Sequence, residues 1–183
     1  MEPTSVHLDG KQIRVLAHPL RARLLGQLRV DGPATATRLA AALGTNTGAT
    51  SYHLRQLADV GLVTEDDTVG QGRERWWRSA HDMSSWKRDV FAGDPDATAA
   101  SDWLDSYALT RLVEQVEAWR RVRPGEPAEW RAAAESSDYI LDLNAEQLAA
   151  MNDELGAVIE RYRGVAPGEG ARQVLFYLYG VPR

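Results

Sequence analysis

The chain has no cysteine, so disulfides, thiolate metal sites and cysteine nucleophiles are excluded together. No apolar run approaches the roughly 18 residues that a membrane-spanning helix needs. The N-terminal stretch MEPTSVHLDGK has no basic region followed by an apolar one, so no signal peptide is read there and a cytoplasmic protein is expected. There are only four histidines, none beyond His81 and no two at helical His-x-x-x-His spacing, so no metal site is expected. The glycines from Gly164 to Gly170 lack the Lys-Ser/Thr and the preceding strand of a phosphate loop. No Ser-His-Asp order is present, and the carboxylates have no context for acid–base work. Neither catalysis nor a cofactor is expected, and internal repeats and low-complexity tracts are absent.

What is present suits a globular protein: 183 residues, 44% hydrophobic and 26% charged, enough for one domain or two small ones. The net charge of −5 is unevenly spread. Residues 1–82 carry ten Lys and Arg against nine Asp and Glu, whereas residues 83–183 carry eleven against seventeen. The N-terminal half is close to neutral. Any polyanion partner there must be held by locally placed arginines, because the bulk field offers little help.

Periodicity predicts a mainly α protein with a small β component (α+β). A first helix runs from about Lys11 to Ala17 and stops because Pro19 disfavours helical geometry at His18. A second carries Leu20, Leu24 and Leu28 at four-residue spacing, with Leu25 widening the stripe, and ends at Asp31-Gly32-Pro33. Thr37 is placed to cap a third helix that buries Leu39 and Leu43 and closes at Gly44. Thr45 or Asn46 caps a fourth, running to about Val60 with Thr50, Leu54 and Leu57 inward. Leu62-Val63 opens a strand, Asp66 to Gly72 reads as a hairpin tip, and Arg73–Arg78 returns with Trp76 and Trp77 on opposite faces.

A helix, a tight turn and a second helix with a polar outer face fit the major groove of double-stranded DNA. With Thr50, Leu54 and Leu57 buried, the helix over 46–60 presents Asn46, Thr47, Gly48, Ser51, Tyr52 and Arg55 outward. The hydroxyls and Arg55 can meet phosphates or base edges, and Gly48 permits close approach of the backbone. Arg73 and Arg75 flank the 66–73 tip, where an arginine can grip a phosphate or enter a minor groove. Competing readings stay open: a merely solvated polar face, a packed His53, and cross-strand pairing of the tip arginines with Glu65 or Glu74.

The segments HPLRARLLGQL, ATRLAAALG and TSYHLRQLADVGLV, with the hairpin ending GRERWW, resemble the winged helix-turn-helix domain of ArsR-like bacterial transcriptional regulators. The resemblance covers roughly residues 10–80. It implies a homodimer that binds operator DNA, usually represses, and lets go when an effector binds. Two departures bear on sensing. No cysteine stands near Ala49 and Thr50, and the long C-terminal helix offers Asp102 and Asp105 without a histidine, so the family's metal sensing is not carried over.

Residues 1–82 are accordingly expected to be the DNA-binding domain and 83–183 a dimerisation and effector region. A short helix over Ser85–Phe91 leads to Gly93-Asp94-Pro95, followed by a long helix over Thr98–Val122 with Leu104, Ala108, Leu112, Val116 and Trp119 in its stripe. Such a helix most economically pairs with its twin. A short helix at Pro127–Ser136, a strand at Tyr139–Leu143, a helix at Ala145–Arg163 and a strand at Gln173–Val181 complete the chain, the two strands being candidate parallel neighbours. Trp86, Trp103, Trp119 and Trp130 could line a site for an apolar small-molecule effector, or fill a core and a dimer seam. The function this supports is a sequence-specific repressor. The alternative is a winged-helix module that binds another protein and not DNA, favoured by near-neutral charge and by Asp66-Asp67 beside the tip.

Overall fold

In the computed structural model, residues 5–69 and 74–182 are described. The chain divides into two compact units, residues 1–107 and 108–183.

The first unit opens with β1 (Ser5–His7) and α1 (Gly10–Leu16), the latter started by a capping box. Asp9 accepts from the Gln12 N–H at 2.7 Å while Gln12 Oε1 accepts from the Asp9 N–H at 3.1 Å. Helix α2 (Pro19–Val30) starts on a proline, whose fixed φ suits a first helical position. Strand β2 (Ala34–Thr35) precedes α3 (Ala36–Leu43). The α3 cap is Thr35, not Thr37: the Thr35 hydroxyl accepts from the Arg38 N–H at 3.3 Å. Pairing of Ala34-Thr35 with a strand fixes Thr35 in the extended geometry that a cap requires.

Gly44, at φ +64°, ends α3 and makes the tight turn into α4 (Thr47–Ala58), which Asn46 caps through Ala49 N–H at 2.8 Å. Gly61, at φ +71°, closes α4 in the same left-handed way, so the Leu62 N–H donates to the Leu57 carbonyl at 3.0 Å. Strands β3 (Val63–Glu65) and β4 (Trp76–Ser79) form the expected hairpin, and β2 joins it in the antiparallel order β2-β4-β3. Strand β5 (Met83–Ser85) pairs parallel to β1. Recruitment of Met83–Ser85 into that ladder leaves only Arg88–Phe91 of the expected Ser85–Phe91 helix, as a 3-10 turn.

The core unites the inner faces of these elements: Ile13 and Leu16 from α1, Leu24, Leu25 and Leu28 from α2, Leu39 from α3, Leu54 and Leu57 from α4, and Trp77 from β4. Each such side chain contributes about 1.5–3 kcal/mol on leaving water. Thr50 is fully buried among them, its hydroxyl donating to the Asn46 carbonyl at 3.0 Å. Arg29 of α2 donates to the His81 carbonyl at 3.0 Å and the Ser84 hydroxyl at 2.7 Å. Burial pushes its guanidinium down to about 10. Helix α5 (Pro95–Val122) begins three residues earlier than Thr98, because the Asp94 carboxylate caps it through the Ala97 N–H at 3.0 Å. Its Ala97, Ala100, Ser101 and Leu104 are buried.

The second unit contains the remainder of α5, a 3-10 turn (Arg123–Gly125), α6 (Ala128–Ala133) and α7 (Ala145–Arg163). Helix α7 has the bounds its periodicity predicts and opens with a capping box between Asn144 and Gln147. The flanking segments differ from expectation: neither Tyr139–Leu143 nor Gln173–Val181 belongs to a strand ladder. Their apolar side chains are largely exposed, Tyr139 78%, Ile140 77% and Phe176 74%. No described residue of this unit is buried.

Candidate nucleic-acid interface

The fold presents α4 with one face sealed and the other bare. Thr50, Leu54 and Leu57 are buried, while Asn46, Thr47, Gly48, Tyr52 and Arg55 are exposed and Ser51 is half-exposed. In its first turn the Thr47 and Gly48 N–H groups have no intrahelical partner, and the helix dipole favours an anion there. A Cβ added at Gly48 would meet only the Asn46 Oδ1 at 3.4 Å, so the space outside that glycine is open on the protein side.

Thr47, Ser51 and Arg55 line one side of an open cleft of about 360 Å³. Thr35, Ala36 and Thr37 at the start of α3, Glu74 and Arg75 ahead of β4, and Trp77 of β4 line the rest. Four hydroxyls and two guanidiniums thus converge on one concavity, with one carboxylate among them. Arg55 extends back along its helix, Nε donating to the Ser51 carbonyl at 3.1 Å. Arg75 is engaged as well: its Nε lies 3.2 Å from Glu65 Oε2, and its guanidinium stands 5.7 Å from the Trp77 ring centroid. The cross-strand pairing with Glu65 is therefore present. Both partners are about half exposed, where such a pair is worth at most about 1 kcal/mol. Arg73 lies outside the described residues, as does the hairpin tip over 70–73.

The acidic pair beside the tip resolves into two different groups. Asp66 is turned inward, its Oδ1 accepting from the Thr68 hydroxyl at 2.5 Å and the Thr68 N–H at 2.9 Å. Those hydrogen bonds, with Arg78 beyond, hold its carboxyl below the usual carboxylate range. Asp67 alone is exposed.

Sequence reasoning missed two features. Arg38 of α3 stacks over the half-buried Trp76 at 4.7 Å, which adds a third cation near the sheet. A half-exposed tryptophan beside an opposite-facing buried one was the available signal. His18 and His53 also meet, with ring centroids 4.5 Å apart. Burial, and then the Arg21 charge, lower the His18 pKa from its ordinary value. His53 is lowered by burial first, then by His18 and Arg21. Tyr52 stands edge-on to His53 at 5.2 Å. Arg21 and Arg23 serve the helix surface, donating to the Val15 and Leu43 carbonyls. Among the described residues no three metal-capable side chains cluster, and no helix is long and apolar enough to cross a membrane.

A helix-turn-helix domain family model matches residues 16–66, the span from the end of α1 to the start of the wing. No curated protein matches the chain. Among solved structures, a possible transcriptional regulator for arsenical resistance is 33% identical, over 57% of this chain and 95% of its own, with a TM-score of 0.34. The homodimeric winged helix-turn-helix DNA-binding domain of Mb0332 from Mycobacterium bovis, a possible ArsR-family transcriptional regulator, is 22% identical over 57% of this chain and 76% of its own, with a TM-score of 0.35. Lactococcus lactis ZitR is 12% identical over 80% and 83%, with a TM-score of 0.36. A third of the residues are shared across nearly the whole arsenical-resistance regulator, and the helix-turn-helix segment is matched as well. By that shared sequence the chain belongs to the ArsR-like winged helix-turn-helix transcriptional regulators.

Proposed function

We propose that the protein is a homodimeric repressor that reads a pseudo-palindromic operator. The helix over 46–60 enters the major groove, and the 66–73 wing lies on the backbone or in the minor groove. The observation that carries this reading is the convergence of Thr47, Ser51, Arg55 and Arg75 on one open cleft, outside a helix whose other face is sealed. Arg55 is the base reader of the set, while Asn46, Thr47, Gly48, Ser51 and Tyr52 meet phosphates and base edges. Arg73 and Arg75 serve the wing. Residues 1–82 read the DNA and the following region holds the dimer. Two recognition helices then stand about 34 Å apart, one turn of duplex. An apolar small molecule is the effector class that fits a chain lacking thiolates. Trp86 and Trp103 pack against the first unit's core, so they act there as filling.

Selection of bound fragments from random duplex DNA, followed by fluorescence anisotropy at 50 and 200 mM salt, tests the reading. Arg55→Ala is expected to weaken binding to the selected site by about 1–3 kcal/mol, roughly ten- to a hundredfold, and to relax discrimination at one base pair. Unchanged affinity in Arg55→Ala, or no selected site at all, overturns it in favour of a protein-binding module.

A further inference from the structure

Residues 108–182 pose a physical problem that the DNA-reading domain does not. The unit has a 19-residue helix opened by a capping box and yet no described residue in it is buried. Eighteen large hydrophobic side chains between Leu109 and Val181 are exposed. Ordering this many residues costs about 1–2 kcal/mol of backbone entropy each, and little apolar burial within one copy offsets it. A partner must supply the missing interior. At about 100 Å² each, the eighteen side chains offer about 1,800 Å² per copy. A standard stable interface needs about 800 Å² per partner, so the surface suffices for an obligate one.

Within that surface the segment over 173–181, QVLFYLYGV, stands apart. It has no charged residue, and apart from one glycine and one glutamine it is built of β-branched, aromatic and leucine side chains. Val174, Phe176 and Val181 are 64%, 74% and 76% exposed. The segment is anchored near its end, where a Cβ on Gly180 would touch Leu148 of α7 at 3.3 Å. An uncharged segment of this length and β-propensity is a template for strand pairing with another chain. The shorter candidate, 139–143, contains Asp142 and is the weaker template.

We propose that the 173–181 segment is an intermolecular strand, pairing antiparallel with the same segment of a second copy about a two-fold axis near Tyr177. Self-pairing is favoured because a two-fold axis presents the same patch on both copies, and because the exposed Leu109, Val113 and Val116 of α5 supply further apolar surface for the same partner. The occupant is then always available, as a unit without its own interior requires. This deepens the homodimer of the proposed function and rests on it: the strand pair is part of what holds the two DNA-reading domains together.

The absence of native cysteine makes the test direct, since a single introduced cysteine can form only copy-to-copy disulfides. In the full chain, Leu175→Cys, Phe176→Cys, Tyr177→Cys and Leu178→Cys are oxidised mildly and resolved on non-reducing gels, with Ala149→Cys as the control. Sedimentation gives the mass of the unmodified chain and of Phe176→Lys/Leu178→Lys. The expected result is a dimer whose cysteine variants cross-link near position 177, at least tenfold faster than the control, and whose lysine variant loses half its mass. A dimer that cross-links at none of the four positions, or that survives both lysines, overturns the strand pairing and leaves the homodimer standing. A monomeric unmodified chain overturns both. Binding of the lysine variant to a half-site duplex reports whether the DNA-reading domain remains folded.

Discussion

The imidazole rings of His18 and His53, thirty-five positions apart in sequence, lie 4.5 Å apart where the start of α2 meets the middle of α4. His18 caps α2, its Nδ1 accepting from the Leu20 N–H at 3.2 Å. A proton on that nitrogen removes the cap and places positive charge at the positive end of the helix dipole, beside Arg21. Both histidines are held below their ordinary pKa, chiefly by burial. The unfolded chain therefore binds protons that the folded one resists, and stability falls as the pH drops through and below about 6.5. Thermal unfolding between pH 7.5 and 5.5 is expected to show this loss. In His53→Gln the slope should be shallower. An identical slope in that variant would assign the acid sensitivity elsewhere.

The Glu65 carboxylate occupies the Arg75 guanidinium at 3.2 Å on the flank of the cleft. Glu65→Gln removes one negative charge from the proposed DNA face and releases the arginine. Affinity for duplex should rise a few-fold, and the slope of log K against log salt should steepen by about one phosphate contact. Arg75→Ala on top of Glu65→Gln should cancel the gain. If Glu65→Gln binds no more tightly than the parent, Arg75 does not meet the backbone.

Thr35 and Thr37 both line the cleft, but only Thr35 caps α3. Thr35→Ala should destabilise the protein by about 1 kcal/mol, a few degrees in Tm. Thr37→Ala should leave Tm within a degree while weakening DNA binding. Calorimetry on the two variants separates stability from recognition, and equal Tm losses would contradict the assignment.

What could be read ahead of the structure follows the length of each signal. Helix α7 shows an apolar repeat over about four turns from Leu148 to Tyr162, and its predicted bounds coincide with the observed ones. The α3–turn–α4 unit was readable because Gly44, Asn46 and Gly61 mark its breaks by chemistry that depends on neighbours only. Strands β1, β2 and β5, of two or three residues, carry too few positions for alternation to show, and their pairing partners are distant in sequence. The choice of Thr35 over Thr37 as cap followed from one of those invisible pairings. Tyr139–Leu143 and Gln173–Val181 erred the other way. The signal in each, alternation in Tyr139–Leu143 and a mostly apolar run in Gln173–Val181, is local, whereas a ladder also needs a neighbouring strand, and neither segment lies in one. The expected outward positions on α4 needed only the helical repeat, whereas Arg38 over Trp76 and the meeting of His18 with His53 depended on how separate elements dock.

Arg29, reaching from α2 to the His81 carbonyl and the Ser84 hydroxyl, fastens the stretch that leaves the wing to the scaffold behind the reading helix. Residues 81–84 are thereby tied to α2 within the first unit, so the stretch that follows the wing cannot open without breaking a buried, charge-assisted anchor.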